Sequence, residues 1–241
     1  MRQAGQSLLG AARAGCSNEF ERRARRLGYR RIAGLDEAGR GCLFGPVYAA
    51  AVILSPRRKI PGLCDSKLLE PEERERLAGL IREKAVAWAV ASVSAGEIDR
   101  INIYQASRLA MKRALEQLDP PADYLLVDAL ELDAGVPQEA LIKGDMRCSS
   151  IAAASILAKV ERDACMRRFD RLYPGYGLAR HKGYGTREHL DALARLGATP
   201  EHRRSFAPVR EICGLPPPPG AKTRAARSAG QLGLFEEGGS R

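Results

Sequence analysis

None of the chain's six cysteines (Cys16, Cys42, Cys64, Cys148, Cys165 and Cys213) forms a C-x-x-C pair or has the spacing of a zinc site. A structural zinc centre is therefore not expected. Several of these cysteines sit among apolar residues, where a reduced thiol acts as a small hydrophobe. Histidine is scarce as well: His181, His189 and His202 all fall late in the chain, and no Ser-His-Asp arrangement suggests itself. No run of 18 apolar residues would span a membrane, and the N-terminus lacks the apolar stretch of a secretory signal. The expectation is an untargeted, cytoplasmic protein with reduced thiols. No internal repeat is present. Acids are the minority charge, 29 against 39 Lys and Arg, giving a net charge of +10. That excess favours a polyanionic partner such as nucleic acid. At 241 residues the chain can bury one good core.

Against this basic background, acids next to apolar runs stand out. Residues 32–47 read IAGLDEAGRGCLFGPV: an apolar run, the adjacent carboxylates of Asp36 and Glu37, then a glycine-rich turn carrying Arg40. The almost wholly apolar VYAAAVIL follows, as in a buried strand. Neighbouring strand side chains point to opposite faces. For both acids to serve one site, Glu37 is expected where the strand stops. Gly39 and Gly41 leave backbone amides approachable. Two oxygen donors beside bare amides suit a magnesium-like ion and a phosphate-bearing substrate, although a solvated acidic hairpin accounts for the pair taken alone.

The rest alternates helix and strand. Residues 1–17 are weakly patterned and expected to be flexible. Asn18 opens a basic helix with Phe20, Ala24 and Leu27 on one face. Pro71-Glu72-Glu73 starts a second helix behind an Asp65-Ser66-Lys67 loop. A third strand is expected over residues 85–94 and a helix over 95–118, ended by Pro120-Pro121. YLLV is a buried strand that ends on Asp128, repeating the geometry of Asp36. ALIK is another strand, with Gly144-Asp145 after it, and residues 149–172 form a long helix with a small-residue first half. A polar loop, RHKGYGT, precedes a short amphipathic helix over 187–196. From residue 214 the four prolines and the polar composition point to a disordered tail, leaving 18–213 as the folded domain.

Asp36, Glu37, Asp128 and Asp145 each stand at or just beyond an apolar strand. Drawn together without a cation they would raise one another's pKa. Two divalent ions roughly 4 Å apart remove that difficulty and supply a way to hydrolyse a phosphodiester.

The motifs LDEAGRG-x-L-x-GPV, the strand ending in Asp128, IKGD, SSIAAASILAKVERD, HKGYGT and HRRSF together resemble the bacterial ribonuclease HII family, from about Phe20 to Arg210. The resemblance implies an α/β ribonuclease H-like fold: a mixed five-stranded sheet flanked by helices, with a small helical C-terminal appendage. It implies Mg²⁺ or Mn²⁺ held by Asp36, Glu37, Asp128 and Asp145. The fourth acid maps to Asp145 because it follows the Lys-Gly pair; Asp163 is expected to form a salt bridge inside its helix. Implied substrate contacts are Gly39, Arg40 and Gly41 at the ribose 2′-hydroxyl, Lys67 and Lys143, and Tyr184 stacking on the sugar at an RNA–DNA junction. The implied reaction is cleavage of RNA in RNA/DNA hybrids and 5′ of single ribonucleotides in duplex DNA. Arg40 and the short N-terminus favour this family over the sister ribonuclease HIII, which usually has threonine at that place and an extra N-terminal domain. Arg40 and Tyr184 argue against a DNA-cutting relative, and the four acids argue against a non-catalytic binding protein. A monomer is the family expectation.

Within the tail, Gln231-Leu232-Gly233-Leu234-Phe235 resembles the peptide with which bacterial replication and repair proteins dock on the sliding clamp. Gln231, Leu232, Leu234 and Phe235 would be the anchors. Gly233 departs from the usual Ser or Asp.

Overall fold

The computed structural model describes residues 16–63 and 66–216. The expected clamp peptide, Cys64 and Asp65 lie outside them. Five strands form one sheet in the order β3-β2-β1-β4-β5. β1 (Ile32–Ala38), β2 (Val47–Ile53) and β3 (Ala87–Val93) make an antiparallel meander. β4 (Tyr124–Asp128) and β5 (Gln138–Leu141) continue parallel to β1. This is the mixed α/β sheet the motifs imply.

Alternation along β1 and β2 sends side chains to two separate cores. Ala33, Leu35, Ala49 and Ala51 face α3 (Ala95–Glu116), with Ile98, Ala106, Ala110 and Met111. Ala38, Ala50 and Val52 face α2 (Pro71–Lys84) and α5 (Ser149–Leu172). The alanines and serines of α5 let it lie almost on the backbone of β1. A Cβ on Gly34 would come within 2.1 Å of the Ser150 carbonyl carbon, so only glycine fits there.

Some expectations require correction. Leu27 is 69% exposed, because α1 (Glu19–Arg26) ends before it and the chain turns away. The buried residue of α1 beside Ala24 is instead Glu21, whose Oε1 accepts the Ser150 N–H at 2.8 Å. Helix α3 is broken at Asn102, which has φ 65°. The Asn102 side chain accepts the Gln105 N–H and so starts the second half afresh. The ALIK strand is displaced two residues back along the chain: β5 runs over Gln138–Leu141, Lys143 turns left-handed, and Asp145 lies in a short helix, α4 (Gly144–Arg147).

After α5 come α6 (Leu178–His181), α7 (Arg187–Leu196) and α8 (Ala207–Ile212), the C-terminal appendage. It closes on the β1–β2 turn: Leu43 N–H reaches Gly183 C=O, Arg203 N–H reaches Leu43 C=O, and Gly45 N–H reaches Glu201 C=O.

Candidate active site

Leu35 of β1 is paired with Val127 of β4, so Asp36 and Asp128 follow side by side at the carboxyl ends of adjacent parallel strands. Such strand ends are where open α/β sheets present ligands. Asp36 is only 4% exposed. The nearby Ser155 hydroxyl of α5 acts to hold its pKa down, and Ser66 Oγ lies 3.0 Å from Ser155 Oγ. Asp128 Oδ1 accepts the Gly144 N–H at 2.7 Å, which ties α4 to the end of β4. That contact brings Asp145 in, where Lys67 Nζ sits 3.0 Å from its Oδ2.

Glu37 differs from its expected placement in one respect. The strand runs on through Ala38, with Glu37 opposite Ala49. It is held because Asp36 Oδ1 accepts the Glu37 N–H at 2.7 Å. Its carboxylate pairs with the Arg40 guanidinium at 3.5 Å, and Arg40 in turn lies over the Tyr104 ring of α3 at 5.9 Å.

Burial pushes the pKa values of Asp36, Glu37 and Asp128 up, and the acids push one another further: Glu37 and Asp128 act on Asp36, and Asp145 acts on Asp128. Arg40 and Lys67 oppose the rise at Glu37 and Asp128. Glu37 Oε2 is buried with no hydrogen-bond partner. Among the described residues, no three His, Cys, Asp or Glu side chains form a ready-made metal cage. The donor set is nonetheless all oxygen and partly unsatisfied, with Arg40 and Lys67 paired to two of its four acids, which fits a hard divalent cation.

The turn beyond β1 is built on two buried arginines that no local pattern marks as internal. Arg162 and Arg203 are 1% and 0% exposed. Arg203 donates to the carbonyls of Gly45 and Arg40, at 2.9 and 3.0 Å. Arg162 packs flat under Gly39, where a Cβ would fall 1.9 Å from its Nε, and its guanidinium lies 5.9 Å from the Tyr184 ring. Gly39, Arg40, Gly41 and Tyr184 are thus brought to one rim, with Tyr184 43% exposed. Lys143 is exposed beside Asp145. Asp163 is held in its helix by Lys159 at 2.7 Å, as expected.

A family model, Ribonuclease HII, matches residues 33–209. Among curated relatives, the Ribonuclease HII of Solibacter usitatus (strain Ellin6076) is 62% identical over 201 residues, 83% of this chain and 88% of that one. Among solved structures, ribonuclease H2 from Pyrococcus horikoshii OT3 superposes with TM-score 0.66 at 25% identity, covering 76% of this chain and 97% of that one. Ribonuclease HII of Archaeoglobus fulgidus, solved in a complex with PCNA, gives TM-score 0.64 at 26% identity over 80% and 98% of the two chains. The fold, the motifs and these relatives agree, and the chain belongs to the ribonuclease HII family.

Proposed function

We propose that this chain is a divalent-metal-dependent endonuclease. It cuts RNA in RNA/DNA hybrids and on the 5′ side of single ribonucleotides embedded in duplex DNA, leaving 3′-hydroxyl and 5′-phosphate ends. The observation that carries this function is the placement of Asp36 and Asp128 at adjacent strand ends, beside Glu37 and Asp145, in an otherwise basic protein.

Asp36, Glu37, Asp128 and Asp145 would hold Mg²⁺ or Mn²⁺, which supplies Lewis acidity to activate water and steady the leaving oxygen. The chain's own groups do the rest. The Glu37 N–H fixes the Asp36 carboxylate, so its donor oxygens are set before substrate arrives. Lys67 and Lys143, beside Asp145, offer ammonium groups to the phosphates flanking the scissile bond. The carbonyl of Arg40 is tied inward to Arg203, which leaves the turn amides free to meet a ribose 2′-hydroxyl, the group that separates RNA from DNA. The Tyr184 ring, packed on Arg162 from below, stacks on the sugar that follows the ribonucleotide.

The protein acts on nucleic acid as a cytoplasmic monomer, a location that fits the reduced thiols of Cys42, Cys148, Cys165 and Cys213. No helix of the described residues is long and apolar enough to cross a membrane. Residues 231–235 dock on a sliding clamp; deleting them abolishes clamp binding and leaves cleavage of short duplexes unchanged.

The deciding experiment uses a labelled DNA duplex carrying one ribonucleotide, with Mg²⁺, Mn²⁺ or EDTA, beside an all-DNA control. One metal-dependent cut 5′ of the ribose is the expected product. Cutting only inside longer RNA runs removes the single-ribonucleotide claim, and tight binding without a cut under any metal removes the nuclease.

A further inference from the structure

The three histidines meet in the C-terminal appendage. His189 and His202 are 0% and 1% exposed, and the Phe44 ring meets them edge-on at 6.4 and 4.8 Å. His181 stacks on His189 with ring centres 4.5 Å apart.

Their hydrogen bonds leave each ring one tautomer. A neutral imidazole has one donor and one acceptor nitrogen. The Thr199 N–H can only donate, so His202 Nδ1, 3.0 Å away, accepts and His202 Nε2 carries the proton. That proton faces His189 Nε2 at 3.3 Å, which accepts it. His189 Nδ1 therefore carries the other proton and donates to the Tyr184 carbonyl at 2.9 Å. The carbonyl can only accept, so the direction of the relay is fixed at both ends. His181 closes a second link. Its Nδ1 accepts the Gly183 N–H at 3.2 Å and its Nε2–H donates to the Tyr176 carbonyl at 2.7 Å. Its own carbonyl takes the Tyr184 N–H at 3.0 Å.

Tyr184 is thus gripped through both of its peptide groups by histidines, in a loop that contains the left-handed residues Lys182 and Gly183 and belongs to no strand. We propose that the chain from Thr199 through His202 and His189 is a positioning device for Tyr184, with His189 the residue that sets where its ring stands against the RNA–DNA junction. This rests on the sugar-stacking role given to Tyr184 above. The device works because a loop ordered beforehand loses little freedom when substrate binds. Adding a proton to His189 or His202 would set two N–H groups face to face, and burial keeps both rings neutral.

Two measurements on the full-length protein test it. With ¹⁵N-labelled histidine at pH 7, long-range NMR should find His189 as the Nδ1–H tautomer and His181 and His202 as Nε2–H. An Nε2–H or charged His189 overturns the relay. The second compares kcat/KM on a duplex with one ribonucleotide and on a long hybrid. An asparagine amide falls near the place of Nδ1 and a glutamine amide near that of Nε2. His189→Gln should therefore lower single-ribonucleotide cleavage about tenfold relative to the hybrid, the cost of one lost hydrogen bond, and His189→Asn should restore the ratio. Equal losses on both substrates in His189→Gln would mean a purely structural role and overturn the proposal. Tyr184→Ala separates the two ideas. If it impairs single-ribonucleotide cleavage while His189→Gln does not, the relay alone falls. If Tyr184→Ala cuts like the wild type, the role of Tyr184 falls and takes the positioning device with it.

Discussion

Lys67 Nζ lies 3.0 Å from Asp145 Oδ2, although the lysine side chain is 75% exposed and the carboxylate only 6%. One end of this pair faces solvent and the other faces the acids, which is the arrangement expected of a group that meets a phosphate as it enters. Lys67→Ala should raise KM on a hybrid duplex about tenfold. The slope of log affinity against log salt should fall by about 1. Binding titrations at several salt concentrations check both.

Asp128→Asn keeps an oxygen to accept the Gly144 N–H and removes only the charge. Cleavage should drop at least about a thousandfold in single-turnover assays. Melting temperature and duplex affinity should stay close to wild type; loss of either would move Asp128 from chemistry to architecture.

The buried histidines make stability fall in acid. His202 has its pKa lowered from 6.5 to about 3 by burial and by His189. Below pH 6.5 the unfolded chain takes up a proton that the folded chain refuses, so stability is full above 6.5 and is lost as pH falls towards 3. At pH 5 this one residue accounts for roughly 2 kcal/mol. His202→Asn, which retains an acceptor for the Thr199 N–H, should flatten the dependence of melting temperature on pH between 6.5 and 5.

Gly34→Ala places a methyl group 2.1 Å from a backbone carbon of α5, and neither the strand nor the helix can move aside cheaply. A loss of at least about 3 kcal/mol is expected, at the upper end of overpacking costs. Urea denaturation gives the value, and a loss below about 1 kcal/mol would show that α5 can slide on the sheet.

Much of this molecule was legible in the sequence because its catalytic half is written in hydrophobic runs. An apolar strand that ends on an acid says where the acid goes, and Asp36 and Asp128 stand where that pattern places them. What the sequence concealed has a common physical cause. Glu21, Arg162 and Arg203 are charged residues that a pattern reader assigns to solvent, yet they are buried because particular backbone groups need partners: the Ser150 N–H, and the carbonyls of Phe44, Gly45 and Arg40. The break at Asn102 was hidden because an asparagine that caps a helix looks, in sequence, like one on a helix surface. The histidines stood out only as rare; their mutual contacts depend on how α7 and the 199–203 segment fold over Phe44, which no local spacing encodes.

The central strand draws its two neighbours from distant parts of the chain. β2 follows β1 after a short turn, whereas β4 begins at Tyr124. During synthesis, Asp36 and Glu37 therefore emerge on a strand with one side unpaired, well before Asp128 and Asp145 are made. The acid cluster is thus the last part of the site to be completed: all four carboxylates come together only once β4 and β5 have closed the sheet beside β1.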